Sequence, residues 1–168
     1  MLFAHPELVQ GQRILELGSG VGLTGLCVAM LAPASLVLTD YDGDEQGQSV
    51  LQNLRHNLAL NGLGPPPLGE LVEGDAIPVP PVDAAAGVDG HLYSRKSKPA
   101  VRVELLDWVG ATEESLAVLA GDTDLVLAAD VVYTPSIVSP LVAVIQGLLQ
   151  AAYPRKLRVL PHPHLTQF

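Results

Sequence analysis

Between Arg13 and Ala32 the chain reads RILELGSGVGLTGLCVAMLA: an apolar run of strand length, a cluster of glycines, then apolar residues Leu23, Leu26, Cys27 and Met30 at helical spacing. A strand that passes through a glycine turn into a helix cannot bury its apolar faces alone. Such units are stable when several pack side by side, as a parallel sheet with helices on both faces.

The rest of the chain repeats that rhythm. SLVLTD is a short apolar run closed by Asp40. After the polar turn YDGD, a helical pattern runs from about Glu45 to Leu60 with Val50, Leu51, Leu54 and Leu58 on one face, and Asn61-Gly62 stops it. VRVELLDW reads as a third strand, TEESLAVLAG as a helix capped by Thr112 with two acids in its first turn, and DLVLAAD as a fourth strand. A final helix carries Ile137, Val138, Leu141, Val142, Ile145, Leu148 and Leu149, with Pro140 tolerable only near its first turn, and RKLRVL reads as a fifth strand. Residues 64–100 break the pattern. Six of the 14 prolines lie between Pro65 and Pro81, which predicts a loop inserted into a single domain spanning residues 1–168.

Charge narrows the function. Nine Lys and Arg against 18 Asp and Glu leave a net charge of −9, a surface that repels phosphate backbones and argues against nucleic acid as a ligand. With one cysteine, Cys27, no internal disulfide or thiolate metal cage can form, which fits a reducing compartment. MLFAHPEL is no signal sequence. The most apolar late segment, Leu141 to Leu149, is far short of the roughly 20 residues of a membrane span, so no membrane partner is expected and the cytoplasm or nucleus remains, with the cytoplasm as the expected location.

The glycine loop fits two ligands, depending on register. Gly20, Gly22 and Gly25 satisfy G-x-G-x-x-G with Asp40 20 residues beyond Gly20, so an NAD-dependent reductase is allowed. Glu16, Gly18, Gly20 and Gly22 satisfy E-x-G-x-G-x-G, which sets an acid beside the loop. That acid repels a pyrophosphate and suits a cationic ligand with an ammonium and a sulfonium, S-adenosylmethionine. Asp40, at a strand tip, can accept both hydroxyls of a ribose, while Asp42 and Asp44 lie beyond the tip and read as a capping turn. Two segments compete for an adenine: Gly74-Asp75-Ala76 in the proline-rich stretch, and Leu106-Asp107-Trp108 at the end of a strand, which is preferred. Trp108 is equally at home in the core. Cys27 reads as a small core residue and His56 as solvated. His162 and His164, in the proline-punctuated tail, make a poor metal site, and none is expected.

LELGSGVGLTGL, LTD, LRHNLALNG, LDW and AADVVYTP, in this order over roughly residues 3–150, resemble the methyltransferase-16 family of seven-strand protein-lysine methyltransferases. The LDW and AADVVY pair with LRHNLALNG is most similar to the subgroup acting on translation elongation factor 2. The resemblance implies a Rossmann-like class I methyltransferase fold, a doubly wound, mostly parallel α/β sheet. It also implies that Gly18, Ser19 and Gly20 wrap the methionine part of S-adenosylmethionine with Glu16 near its amino group, that Asp40 holds the ribose, and that Trp108 with Asp107 borders the adenine. Ala129 then lines the cofactor through its backbone, and Asp130 and Tyr133 face the acceptor lysine. Read without the resemblance, Asp130 is an acid capping the last helix and Tyr133 a boundary aromatic. Family members carry an aromatic lid segment before the first motif and a hairpin after the fifth strand. Against that pattern the chain looks truncated at both ends and the sheet incomplete, so a catalytically silent binding module is the non-enzyme alternative.

Overall fold

The structure, a computed structural model, describes residues 4–43, 49–63, 99–154 and 157–160. Along the chain run β1 (Arg13–Leu17), α1 (Leu23–Ala29), β2 (Ser35–Asp40), α2 (Val50–Leu60), β3 (Ala100–Leu105), α3 (Glu113–Gly121), β4 (Leu125–Ala128), α4 (Val138–Ala152) and β5 (Arg158–Leu160). Among the described residues the strands form one parallel sheet in the order β3-β2-β1-β4-β5. The order reverses at β1, and that switch point opens a crevice at the carboxyl ends of the strands. The strand tips are level there: Leu17 lies opposite Thr39 and Ala128, and Asp40 opposite Leu105.

Side chains alternate across the strands, so each central strand feeds two cores. Leu15, Leu17, Val37 and Val126 face α3 and α4, where Leu116, Ala120, Leu141, Val144 and Leu148 meet them. Ile14, Leu36, Leu38, Leu125 and Leu127 face α1 and α2, meeting Val28, Ala29, Leu54 and Leu58. Each fully buried leucine contributes about 2 kcal/mol of transfer free energy, which makes these two layers the main source of stability. At the end of the sheet opposite the crevice, Arg13 donates to Asp124 through Nη2 at 2.6 Å and Nε at 3.0 Å. Its backbone N–H also reaches Asp124 at 3.0 Å, and so ties the starts of β1 and β4 together.

Helix ends follow the local chemistry. Thr112 caps α3, its hydroxyl accepting from Ser115 N while Ser115 Oγ accepts from Thr112 N, with Glu113 and Glu114 in the first turn. After α2, Gly62 N–H donates to Ala59 O and Leu63 N–H to Leu58 O, each at 2.9 Å, which closes the helix where Asn61-Gly62 predicts. Pro140 stands in the first turn of α4 as expected.

Five expectations change. α2 is capped by Ser49, which accepts from Gln52 N at 3.0 Å, and Asp42 acts one step back by accepting the Ser49 hydroxyl at 2.5 Å. Asp44 lies outside the described residues. On α1 the buried face is Gly25, Val28 and Ala29, while Leu23 is 67% and Met30 51% exposed. Cys27 is half-buried rather than core, because the sheet meets α1 one position further round. On α4 the buried stripe is Leu141, Val144, Leu148 and Ala152, leaving Val142 and Leu149 exposed. With the preceding turn this helix makes an 18-residue apolar run, Pro135–Ala152, long and apolar enough to cross a bilayer, where a shorter segment was expected. Its buried stripe is packed on α3 and the sheet. The proline-rich stretch lies outside the described residues apart from its last two positions, as do His162 and His164.

Candidate active site

The crevice is a cleft of about 510 Å³, within the range of small-molecule sites. Gly18 and Gly20 reach it from the end of β1, Asp40 and Tyr41 from β2, Leu106, Asp107 and Trp108 from β3, and Asp130, Val131 and Tyr133 from β4. Val50 and Ile137 complete the wall.

The loop after β1 turns sharply because Gly18 and Gly20 take φ of +68° and +53°, conformations that glycine adopts without strain. At Gly20 a Cβ would meet nothing within 4 Å, so the backbone borders open space. At Gly18 a Cβ would come within 2.8 Å of Val131 Cγ1 and 3.3 Å of Trp108. Gly18 thus lets the β3 and β4 loops close against the strand tip. Asp40 fixes the other side of the loop: Oδ2 accepts Gly20 N–H at 2.6 Å and Oδ1 accepts Tyr41 N–H at 2.8 Å. A carboxylate oxygen has two lone pairs, so after these bonds Asp40 keeps one acceptor position on each oxygen, the pattern a vicinal diol requires. Of the other register, Gly25 packs on β2, where a Cβ would meet Leu38 at 2.6 Å, and Gly22 starts α1.

Glu16 lies one layer below the cleft and does not line it. Its side chain is 2% exposed on the α1 side of the sheet, with Oε2 3.0 Å from where a Cβ on Gly25 would stand. Oε2 and the Ser19 hydroxyl are both buried without a hydrogen-bond partner. Two orphaned polar atoms beneath a glycine loop are costly unless a ligand or water engages them. Burial pushes the Glu16 carboxyl up to about 7. Asp40 repels it further, while the Ser19 hydroxyl, close to Glu16 but without a formed hydrogen bond, Thr24 and the Gly25 N–H oppose the shift without cancelling it.

That displacement has a measurable consequence. Above its ordinary value of 4.5 the folded chain keeps a proton that the unfolded chain releases, so the group costs stability as pH rises from 4.5 to about 7 and no more beyond. The full cost is on the order of 3 kcal/mol. Glu16→Gln removes it: urea midpoints of variant and parent should lie closest near pH 4.5, with the variant ahead above pH 7. Parallel pH profiles would contradict a buried, neutral-favouring carboxyl.

Trp108 is half-buried, packed on the core formed with α3 and α4, with its ring edge against Gly18. The core and ligand-facing readings of this side chain are therefore compatible. Asp107 is exposed, and its Oδ1 accepts Val109 N–H at 3.0 Å. Asp130 has φ +56°, a left-handed conformation costing a non-glycine residue about 1–2 kcal/mol. The turn sends Val131 into the core, 7% exposed, and leaves Asp130 and Tyr133 on the cleft wall, Tyr133 71% exposed. Strain of this kind persists where the surroundings impose it, often at a functional position.

One cleft thus collects Gly18, Gly20, Asp40, Asp107, Trp108, Asp130 and Tyr133. Glu16, Ser19 and Ala129 are not among the residues that line it. Sequence reasoning missed Tyr41 and Ile137, whose only signal is their position one to four residues past residues it singled out. His56 is exposed on α2, as expected. Among the described residues no three His, Cys, Asp or Glu side chains are grouped to hold a metal ion.

The donor set fits S-adenosylmethionine: an open glycine backbone, a carboxylate with two free acceptor positions, an indole edge, and orphaned polar atoms below the loop, with no cation among the lining residues. The family profile described as lysine methyltransferase matches residues 4–65 and 88–157. Human protein-lysine N-methyltransferase EEF2KMT is 32% identical over 145 residues, 86% of this chain and 35% of that protein. The Bos taurus protein of the same name is 35% identical over 145 residues, covering 86% of this chain and 37% of its own. The Cryptococcus neoformans protein N-terminal and lysine N-methyltransferase EFM7 is 26% identical over 98 residues, 58% of this chain and 26% of that protein. The chain spans about a third of the length of the first two relatives. With the motif order, the parallel sheet and a profile match over most of its length, this chain belongs to the lysine methyltransferase family.

Proposed function

We propose that the chain is the core of an S-adenosylmethionine-dependent protein-lysine N-methyltransferase whose acceptor is translation elongation factor 2. The observation that carries the reading is the single cleft that joins Gly20, Asp40 and Trp108 to Asp130 and Tyr133. The acceptor protein rests on the names of the relatives and on the LRHNLALNG and AADVVY motifs. On this reading the compartment is the cytoplasm.

When bound, S-adenosylmethionine supplies a methyl group on a positively charged sulfur, open to in-line displacement by an uncharged amine. Gly18 and Gly20 bring backbone to the ligand, Asp40 accepts the ribose hydroxyls, and Trp108 flanks the adenine. Asp130 takes no hydrogen bond or ion pair among the described residues, so its oxygens are available to accept N–H from the lysine and orient the nitrogen lone pair. Tyr133 walls the channel and offers its ring face to the arriving ammonium, which gives one proton to solvent before the amine attacks. Catalysis is then positioning and exclusion of water, with no covalent intermediate on the protein.

The competing reductase needs a pyrophosphate beside Asp40 and above Glu16, with no cation on the cleft wall to offset its charge. Calorimetric titration separates the two. S-adenosylmethionine and S-adenosylhomocysteine should bind, and NAD should give no heat. Tight NAD binding without a response to S-adenosylhomocysteine would sink methyl transfer. Binding of S-adenosylhomocysteine with no methyl incorporation into elongation factor 2, even by a chain extended at both ends, would support the silent module.

A further inference from the structure

Three carboxylates, Asp40, Asp107 and Asp130, line the cleft, and no lysine, arginine or histidine of the described residues joins them. Asp40 is engaged by two backbone N–H groups. Asp107 has one oxygen engaged by Val109 N–H, and its other oxygen, like both of Asp130, takes no partner among the described residues. Exposed apolar side chains accompany these acids: Tyr133, on the cleft wall, is 71% exposed, and next to lining residues in the chain Val132 is 45% and Val109 77% exposed. Exposed apolar side chains interleaved with unpaired charge of one sign are the mark of a surface that meets a macromolecule of the opposite sign.

A charge count sharpens this. S-adenosylmethionine carries one net positive charge and the attacking lysine is an uncharged amine, so of the three cleft carboxylates two negative charges stay uncompensated. We infer that the acceptor lysine lies in a protein segment carrying further cationic and apolar residues, which dock against Asp107, Asp130 and the exposed Tyr133, with Val132 and Val109 as exposed apolar neighbours of lining residues in the chain. The inference rests on the methyl-transfer reading and adds the character of the sequence around the lysine. A lysine among acidic residues is rejected by the same field.

The test is fluorescence anisotropy with labelled peptides of equal length, each with one central lysine, flanked by Arg and Leu, by Gln and Leu, or by Glu and Leu. Each is titrated with the protein saturated in S-adenosylhomocysteine. The Arg peptide should bind about tenfold more tightly than the Gln peptide, the Glu peptide more weakly still, and the spread should shrink to about threefold or less in 0.5 M salt. Attraction to the overall negative charge is separated by two variants that each remove two charges. Glu7→Gln with Asp122→Asn, on exposed positions at the end of the sheet opposite the crevice, should keep the preference, and Asp107→Asn with Asp130→Asn should lose it. Equal affinities for the three peptides on the unaltered protein, or equal loss in both variants, would overturn the inference while leaving methyl transfer standing. Failure to bind S-adenosylhomocysteine would instead bring down the underlying reading.

Discussion

Asp130→Asn should lower turnover on the protein acceptor by about 10²-fold while leaving the affinity for S-adenosylhomocysteine within about twofold, because on the proposed reading Asp130 orients the acceptor and makes no contact to the cofactor. The measurement is single-turnover methyl transfer alongside calorimetry, on a chain extended at both ends. Asparagine tolerates the left-handed conformation at this position, so the fold is expected to survive. Asp130→Gly is the companion variant: it relieves the strain and should gain about 1 kcal/mol of stability while losing turnover as Asp130→Asn does. Stability and activity moving in opposite directions is a signature that a merely structural acid would not give. Should Asp130→Asn abolish cofactor binding yet leave turnover per bound cofactor unchanged, Asp130 belongs to the cofactor side of the cleft.

Asp40→Ala carries the second large effect, because Asp40 has two tasks. The variant loses the acceptor that the proposed reading gives the ribose hydroxyls and also releases Gly20 N–H and Tyr41 N–H, which hold the glycine loop against the tip of β2. Cofactor affinity should fall by about 1.5–3 kcal/mol, roughly 10- to 150-fold, the scale of a hydrogen bond to a charged group. Thermal stability should fall with it, since a released N–H at a half-buried position keeps part of its desolvation cost. Asp40→Asn retains one carbonyl acceptor and should lie between. Unchanged affinity in Asp40→Ala would move the ribose contact to Asp42 or beyond.

The two variants also show where sequence reasoning stops. Strand–glycine–helix order, the cap at Thr112, the stop at Asn61-Gly62 and the acid closing β2 are local patterns, set by backbone hydrogen bonding and periodicity within a dozen residues. For that reason the α/β class and the strand tips that carry Asp40, Trp108 and Asp130 were legible in the order of residues alone. Family resemblance, through AADVVY and LDW, supplied the roles expected of those tips.

Tertiary structure decided what depends on direction in space. Which side of α1 is buried turns on where the sheet meets it, so Val28 and Ala29 are inside although Leu23 and Met30 are the larger apolar residues. Glu16 alternates with Leu15 and Leu17 along β1, and that two-residue period sends its carboxyl beneath α1 instead of into the cleft, where burial raises it to about 7. The left-handed turn at Asp130 has no local sequence signal. It sets Val131 Cγ1 within 2.8 Å of where a side chain on Gly18, more than 100 positions earlier in the chain, would begin. The sequence by itself determined the fold class and the strand ends that would carry the site, whereas the packing of distant elements decided which side chains face the cleft, because burial and backbone strain are properties of contacts between segments far apart in the chain.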